Sequence, residues 1–149
     1  MKLKIMVDSS SGITQEEAIK LGIDVFPLRI IFDDKEYLDG IDIMQDEFYE
    51  KLTKEEIFPK TSLPNLYEIE KKVKAYVQDG YSVIILPLSK EISGTYSALV
   101  SMMEDYENVR VIDTLTTICG LRFLVNEAIQ LKVDTLDAVS YTHLTLPTT

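Results

Sequence analysis

The segment Ile92-Ser93-Gly94-Thr95-Tyr96 holds the residue types best suited to gripping a small ligand. Gly94 permits close backbone approach, and Ser93 and Thr95 bring hydroxyls to the start of a predicted helix. Unpaired amides at such a start, with the positive end of the helix dipole, favour an anion. Ser and Thr also lead the preferences for capping a helix, so capping is the alternative reading of Ser93 and Thr95. Lys60-Thr61-Ser62, ahead of a helix predicted to begin near Pro64, carries the same two readings. Two further polar loops, Asp8 to Gly12 and Asp113 to Thr117, follow predicted strands. In open parallel sheets such loops flank the ligand crevice.

Other chemistries lack their residues. The sequence contains no G-x-S-x-G elbow and neither of the glycine-rich nucleotide loops. A serine hydrolase needs a histidine base, and the sole histidine, His143, stands in a carboxyl-terminal stretch of atypical composition. No Cys/His cluster suggests a metal, and Asp39 and Asp42 read as helix caps rather than ligands. Cys119, the only cysteine, reads as a small core residue and rules out an internal disulfide.

The elements that must position these loops alternate between strand and helix patterns. Leu3 to Val7 predicts a strand, and Thr14 and Glu17 are spaced as a capping box for a helix that Gly22 ends. Asp24 to Phe32 reads as one strand, at a sheet edge because of Pro27. Asp33-Asp34-Lys35 predicts a turn into a short partner near Tyr37. Met44, Phe48 and Leu52 form one helical stripe, and Leu66, Ile69, Val73, Tyr76 and Val77 another. Thr53 to Pro64 reads as a polar loop between them. Val83 to Leu88 is almost wholly apolar, as in a strand buried on both faces. A helix around Tyr96 to Met103, a strand from Val109 to Ile112 and a helix from Ile118 to Leu131 complete the pattern. The alternation predicts an α/β fold: a doubly wound, mostly parallel sheet with helices on both faces.

The 149 residues carry a formal net charge of −10, which argues against nucleic acid and anionic membrane surfaces as partners. No apolar run approaches the ~20 residues of a membrane span. The lone cysteine and the absence of a leader pattern point to the cytoplasm. Ser140 to Thr149 has no periodicity and reads as a non-native or disordered tail.

Six segments, in this order and spacing, carry a resemblance to the DegV family over about residues 3 to 132. They are Val7-Asp8-Ser9-Ser10-Ser11, Tyr37-Leu38-Asp39-Gly40-Ile41-Asp42-Ile43, Phe48-Tyr49-Glu50-Lys51-Leu52, Pro59-Lys60-Thr61-Ser62-Leu63-Pro64, Ile92-Ser93-Gly94-Thr95-Tyr96 and Val111-Ile112-Asp113-Thr114. The resemblance implies a carrier, not an enzyme, that needs no cofactor. Its cargo would be a long-chain fatty acid, held between an amino-terminal α/β domain and a second domain and presented in some bacteria to a fatty acid kinase. Residues 1–139 would form the first domain, and the second would be missing from this sequence. Thr61 and Ser93 would be the carboxylate ligands, with Gly94, Thr95 and Ser62 as supporting contacts. Leu63 and Lys90 depart from the family pattern beside these positions without altering the ligands themselves. The competing expectation is a small-molecule enzyme, a phosphotransferase or hydrolase, that uses the Ser93–Thr95 loop.

Overall fold

The computed structural model describes residues 2–54, 58–116 and 119–134. Its elements are β1 (Lys2–Asp8), a 3-10 turn (Ser9–Ser11), α1 (Gln15–Leu21), β2 (Asp24–Phe26), β3 (Arg29–Phe32) and β4 (Lys35–Leu38). There follow α2 (Gln45–Lys54), β5 (Lys60–Ser62), α3 (Leu66–Gln78), β6 (Tyr81–Leu86), α4 (Thr95–Met103), β7 (Val109–Val111) and α5 (Cys119–Asp134).

Four parallel strands in the order β2-β1-β6-β7 form the main sheet. Strands β1 and β6 are central and covered on both faces, which is why Ile5 to Val7 of β1 and Val83 to Leu86 of β6 are uninterrupted apolar runs. One face, with Leu3, Ile5 and Val7, is covered by Leu121, Leu124 and Val125 of α5 and by Ala18 of α1. The other, with Met6, Val83 and Ile85, meets Ile69 and Val73 of α3 and Leu99 of α4. Each fully buried aliphatic side chain here contributes roughly 1.5–3 kcal/mol. Helices thus lie on both faces of a parallel sheet, the doubly wound class that the alternation of patterns predicts.

The helix ends follow local chemistry. Thr14 accepts from the Glu17 amide at 3.1 Å while the Glu17 carboxylate accepts from the Thr14 amide, the reciprocal capping box. Gly22, at φ 70°, ends α1 in the left-handed conformation.

A second sheet is antiparallel in the order β4-β3-β5: the predicted turn at Asp33-Asp34-Lys35 and its short partner around Tyr37 form β3–β4, and β5 adds a third strand where the sequence reads as loop. Asp24 to Phe32 is not one edge strand. It breaks at Pro27 and Leu28, with β2 at the edge of the parallel sheet and β3 at the centre of the antiparallel one. Proline has no N–H for a ladder and confines its predecessor, so the chain changes sheets there. Asp33 and Asp34, at φ 45° and 66°, make the tight turn between β3 and β4. The segment read as a polar loop before Pro64 contains β5, so Thr61 and Ser62 are strand residues, not caps. Asn65 caps α3 instead, accepting from the Glu68 amide at 3.3 Å. Asp39 and Asp42 do not cap α2 either: Asp42 accepts from the Leu38 amide at 2.9 Å and Asp39 meets the Ser9 hydroxyl. The small sheet has its own core of Ile30, Phe32 and Ile43, with Tyr37 and Phe48 packed against it. The expected tail, 140–149, with His143, and the Cys119 side chain lie outside the described residues.

Candidate functional site at the carboxyl edge of the sheet

The chain runs from β1 to β2 on one side and later places β6 on the other, so the strand order reverses between β1 and β6. At such a switch point the loops part and leave a crevice. Asp8 ends β1 there and is fully buried. Its Oδ1 accepts from the Ser10 amide at 2.8 Å and the Ser10 hydroxyl at 2.5 Å. Its Oδ2 accepts from the Leu88 amide at 2.6 Å, joining the loop after β1 to the loop after β6. Burial pushes the Asp8 carboxyl above its ordinary range, further than these hydrogen bonds pull it back, and nearby Asp39 adds to the rise. Asp39 is raised too, again by burial, against a hydrogen bond from Ser9.

A cleft of about 480 Å³ opens beside this node, bounded by the β1–α1 turn, the β2–β3 connection, α2 and β5. Its walls are largely apolar, with Ile13, Val25, Leu28, Ile30, Met44 and Phe48, and polar groups punctuate them at Ser9, Asp39, Gln15 and Thr61. The volume lies within the range of small-molecule sites. Ser9 fixes this wall by joining the turn after β1 to the connection after β2: its Oγ accepts from the Leu28 amide at 3.0 Å. Thr61 is placed by β5, which pairs it with Ile30 of β3. Arg29 steadies the end of β5 by donating to the Leu63 carbonyl at 2.6 Å.

Of the five residues singled out from sequence, Thr61 alone lines this cleft; Ser62, Ser93, Gly94 and Thr95 stand outside its walls. The two groups are nevertheless neighbours, since a side chain at Gly94 would meet Leu63 Cδ2 at 3.7 Å. In the loop before α4, Ser93 Oγ and Thr95 Oγ1 lie 2.9 Å apart, and Ser93 Oγ accepts from the Thr95 amide at 3.2 Å. Thr95 is fully buried, and Gly94, at the N-cap position, provides no side-chain cap. Ser93 therefore does part of the capping work while its hydroxyl stays half-buried. The loop is held from below as well: the Thr114 hydroxyl donates to the Pro87 carbonyl at 2.8 Å, and Lys90 pairs with Asp113 at 3.5 Å.

Asp8 and Ser9 entered the sequence reading only within the Asp8 to Gly12 loop, and Asp39 and the apolar lining were not read as site residues. Met44 and Phe48, two residues of the helical stripe read from the sequence, line the cleft, and Met44 is 50% exposed there. Among the described residues no group of three His, Cys, Asp or Glu side chains could hold a metal ion, and no helix is long and apolar enough to cross a membrane.

A doubly wound α/β domain with an apolar cleft and hydroxyl-bearing loops at its carboxyl edge is the class that fold and site define. Within that class the chain belongs to the DegV family: the family model, described as "Uncharacterised protein, DegV family", matches residues 2–136. A DegV domain-containing protein of Clostridium perfringens is 34% identical over 132 residues, covering 87% of this chain and 47% of the relative. Another, from Listeria monocytogenes, is 33% identical over 131 residues, covering 87% of this chain and 47% of the relative. The chain thus spans about half the length of the curated relatives it matches. Among solved structures, a fatty-acid (stearic acid)-binding protein of Eubacterium ventriosum superposes with a TM-score of 0.83 at 28% identity, covering 93% of this chain and 50% of that one. DegV of Bacillus subtilis, described as a fatty acid binding protein, gives 0.84 at 25% identity, covering 95% and 51%.

Proposed function

We propose that this chain binds a long-chain fatty acid as a carrier without catalysis of its own, residues 1–139 acting as the amino-terminal domain of that carrier. The observation that carries the reading is the apolar cleft opening beside Thr61 at the carboxyl ends of β1 and β2. The similar proteins of E. ventriosum and B. subtilis, both described as fatty-acid-binding, support the cargo.

In this reading Thr61 and Ser93 hold the carboxylate, and Ser62, Gly94 and Thr95 support it. A carboxylate leaving water needs charge-assisted hydrogen bonds to offset desolvation, and hydroxyls with helix-start amides supply them. The acyl chain lies along the apolar walls, where each buried methylene contributes about 0.8 kcal/mol. Asp8 and Asp39 would repel a second carboxylate, which favours placing the head group toward Thr61 and α4. A fatty acid kinase is the partner chemistry that would consume the presented carboxyl group. The rival reading, a hydrolase or phosphotransferase built on Ser93, is disfavoured by geometry. Among the described residues Ser93 Oγ contacts Thr95, not a base.

Mass spectrometry of lipid extracted from the purified protein tests the proposal. Stoichiometric fatty acid in the native protein, lost in a Thr61→Ala/Ser93→Ala double variant, is the expected result. A protein that emerges empty and refuses added palmitate and oleate refutes it, and turnover of acyl esters would favour the enzyme reading.

A further inference from the structure

The register of the small sheet fixes how far apart two polar groups of the cleft stand. Thr61 of β5 pairs with Ile30 of β3, and Ile30 pairs on its other side with Tyr37 of β4. The β3–β4 ladder runs one pair further, where the Asp39 amide donates to the Leu28 carbonyl at 2.9 Å. Cross-strand partners share a face, as do alternate residues along a strand. Thr61, Ile30, Leu28 and Asp39 accordingly present one face, and all four line the cleft. Thr61 and Asp39 lie two strand spacings apart across the sheet and two residues apart along it, about 12 Å in all.

The Asp39 carboxylate is short of donors. Asp8 has three, the Ser10 amide, the Ser10 hydroxyl and the Leu88 amide. Among the described residues the Ser9 hydroxyl alone donates to the half-buried Asp39 side chain, and burial raises its carboxyl against that single bond. Solvent in the cleft can serve the remaining lone pairs. An acyl chain displaces that solvent, and methylenes against an uncompensated carboxylate are costly. We infer that Asp39 selects a hydroxylated cargo: it accepts a hydrogen bond from a hydroxyl carried near the middle of the acyl chain, so the cleft prefers a hydroxy fatty acid to its unsubstituted counterpart. The inference rests on the fatty-acid reading above, with the carboxylate at Thr61, and names the class of acid. An extended chain covers about 12 Å in roughly ten carbon–carbon bonds, which sets the position of that hydroxyl.

Titration of the wild type, Asp39→Leu and Asp39→Asn with stearate, 10-hydroxystearate and 2-hydroxystearate tests this. The wild type binds 10-hydroxystearate more tightly than stearate, and in Asp39→Leu that ratio falls about tenfold, the worth of one hydrogen bond to a charged group. Asp39→Asn keeps the shape and a neutral acceptor for Ser9, so its ratio falls less, and it carries the test if the leucine variant does not fold. The 2-hydroxystearate ratio stays the same in all three proteins, because that hydroxyl sits beside the head group. A wild type that prefers stearate, a 10-hydroxystearate ratio that does not move, or one that moves together with the 2-hydroxystearate ratio overturns the inference while leaving fatty-acid binding intact. A wild type that takes none of the three acids defeats the fatty-acid reading itself, and the inference with it.

Discussion

Replacing Asp8 by alanine tests whether the switch point is held together by one buried carboxylate. The change leaves the Leu88 and Ser10 amides without their acceptor, while the Ser10 hydroxyl is free to turn elsewhere. An orphaned buried donor costs about 1–3 kcal/mol, so the two amides together cost roughly 2–6 kcal/mol. Opposing this, the variant no longer desolvates a carboxylate, and the raised pKa of Asp8 shows that this penalty is only partly offset in the fold. A net loss of about 2–4 kcal/mol at neutral pH follows, or roughly 4–16 °C in Tm for a domain of this size. Urea unfolding followed by circular dichroism, repeated from pH 4 upward, measures both the loss and its pH dependence. Because the folded pKa lies above the ordinary value of 3.8, the folded state holds the proton longer than the unfolded chain. Native stability therefore falls as pH rises from that value through the folded pKa. Alanine removes this slope, so the gap between native and variant is widest in acid and narrows toward neutral pH. A loss below about 1 kcal/mol would show that water or loop relaxation satisfies the amides. A gap that widens with pH would show that Asp8 is stabilised as its anion, contrary to the burial argument.

Phe48→Ala removes a ring that packs on Phe32 at 5.7 Å between centroids and also lines the cleft. We expect about 2–3 kcal/mol of destabilisation in urea, below the 3–5 of a fully buried phenylalanine because Phe48 is half-buried. Tyr76→Phe deletes the hydrogen bond from the Tyr76 phenol to Asp24 and should cost about 1 kcal/mol. Burial and that carboxylate raise the phenol of Tyr76, so an ultraviolet alkaline titration of the native protein should show a late-ionising tyrosine that the variant lacks. Arg122→Met frees Glu17 from a guanidinium at 2.7 Å. The Glu17 carboxyl, now held low chiefly by that hydrogen bond, should titrate at higher pH by NMR in the variant. An unmoved midpoint would show that the Thr14 amide alone sets it.

What was legible in the sequence was whatever depends on neighbours along the chain. The almost unbroken apolar run of β6 announced a strand covered on both faces, Leu3 to Val7 announced β1, and the stripes of α3 and α4 announced the helices that cover them. Thr14, Glu17 and Gly22 marked the limits of α1 because capping chemistry is local. The polar loops were placed at the correct edge of the sheet, since a parallel sheet puts every strand's carboxyl end on one side. Tertiary structure decided the rest. The three-residue strand β5 has no readable period and few apolar residues, so only pairing with distant β3 reveals it. Pro27 was recognised as a disturbance, but that it hands the chain from one sheet to another depends on partners the local sequence does not contain. The role of Asp8 rests on an amide 80 residues away, and the cleft exists only where α2, β5 and the β1–α1 turn converge. Thr61 was named from its residue type and family pattern. Its position in the wall, and that of Gly94 one loop away against Leu63, follow from long-range packing, which residue types alone do not encode.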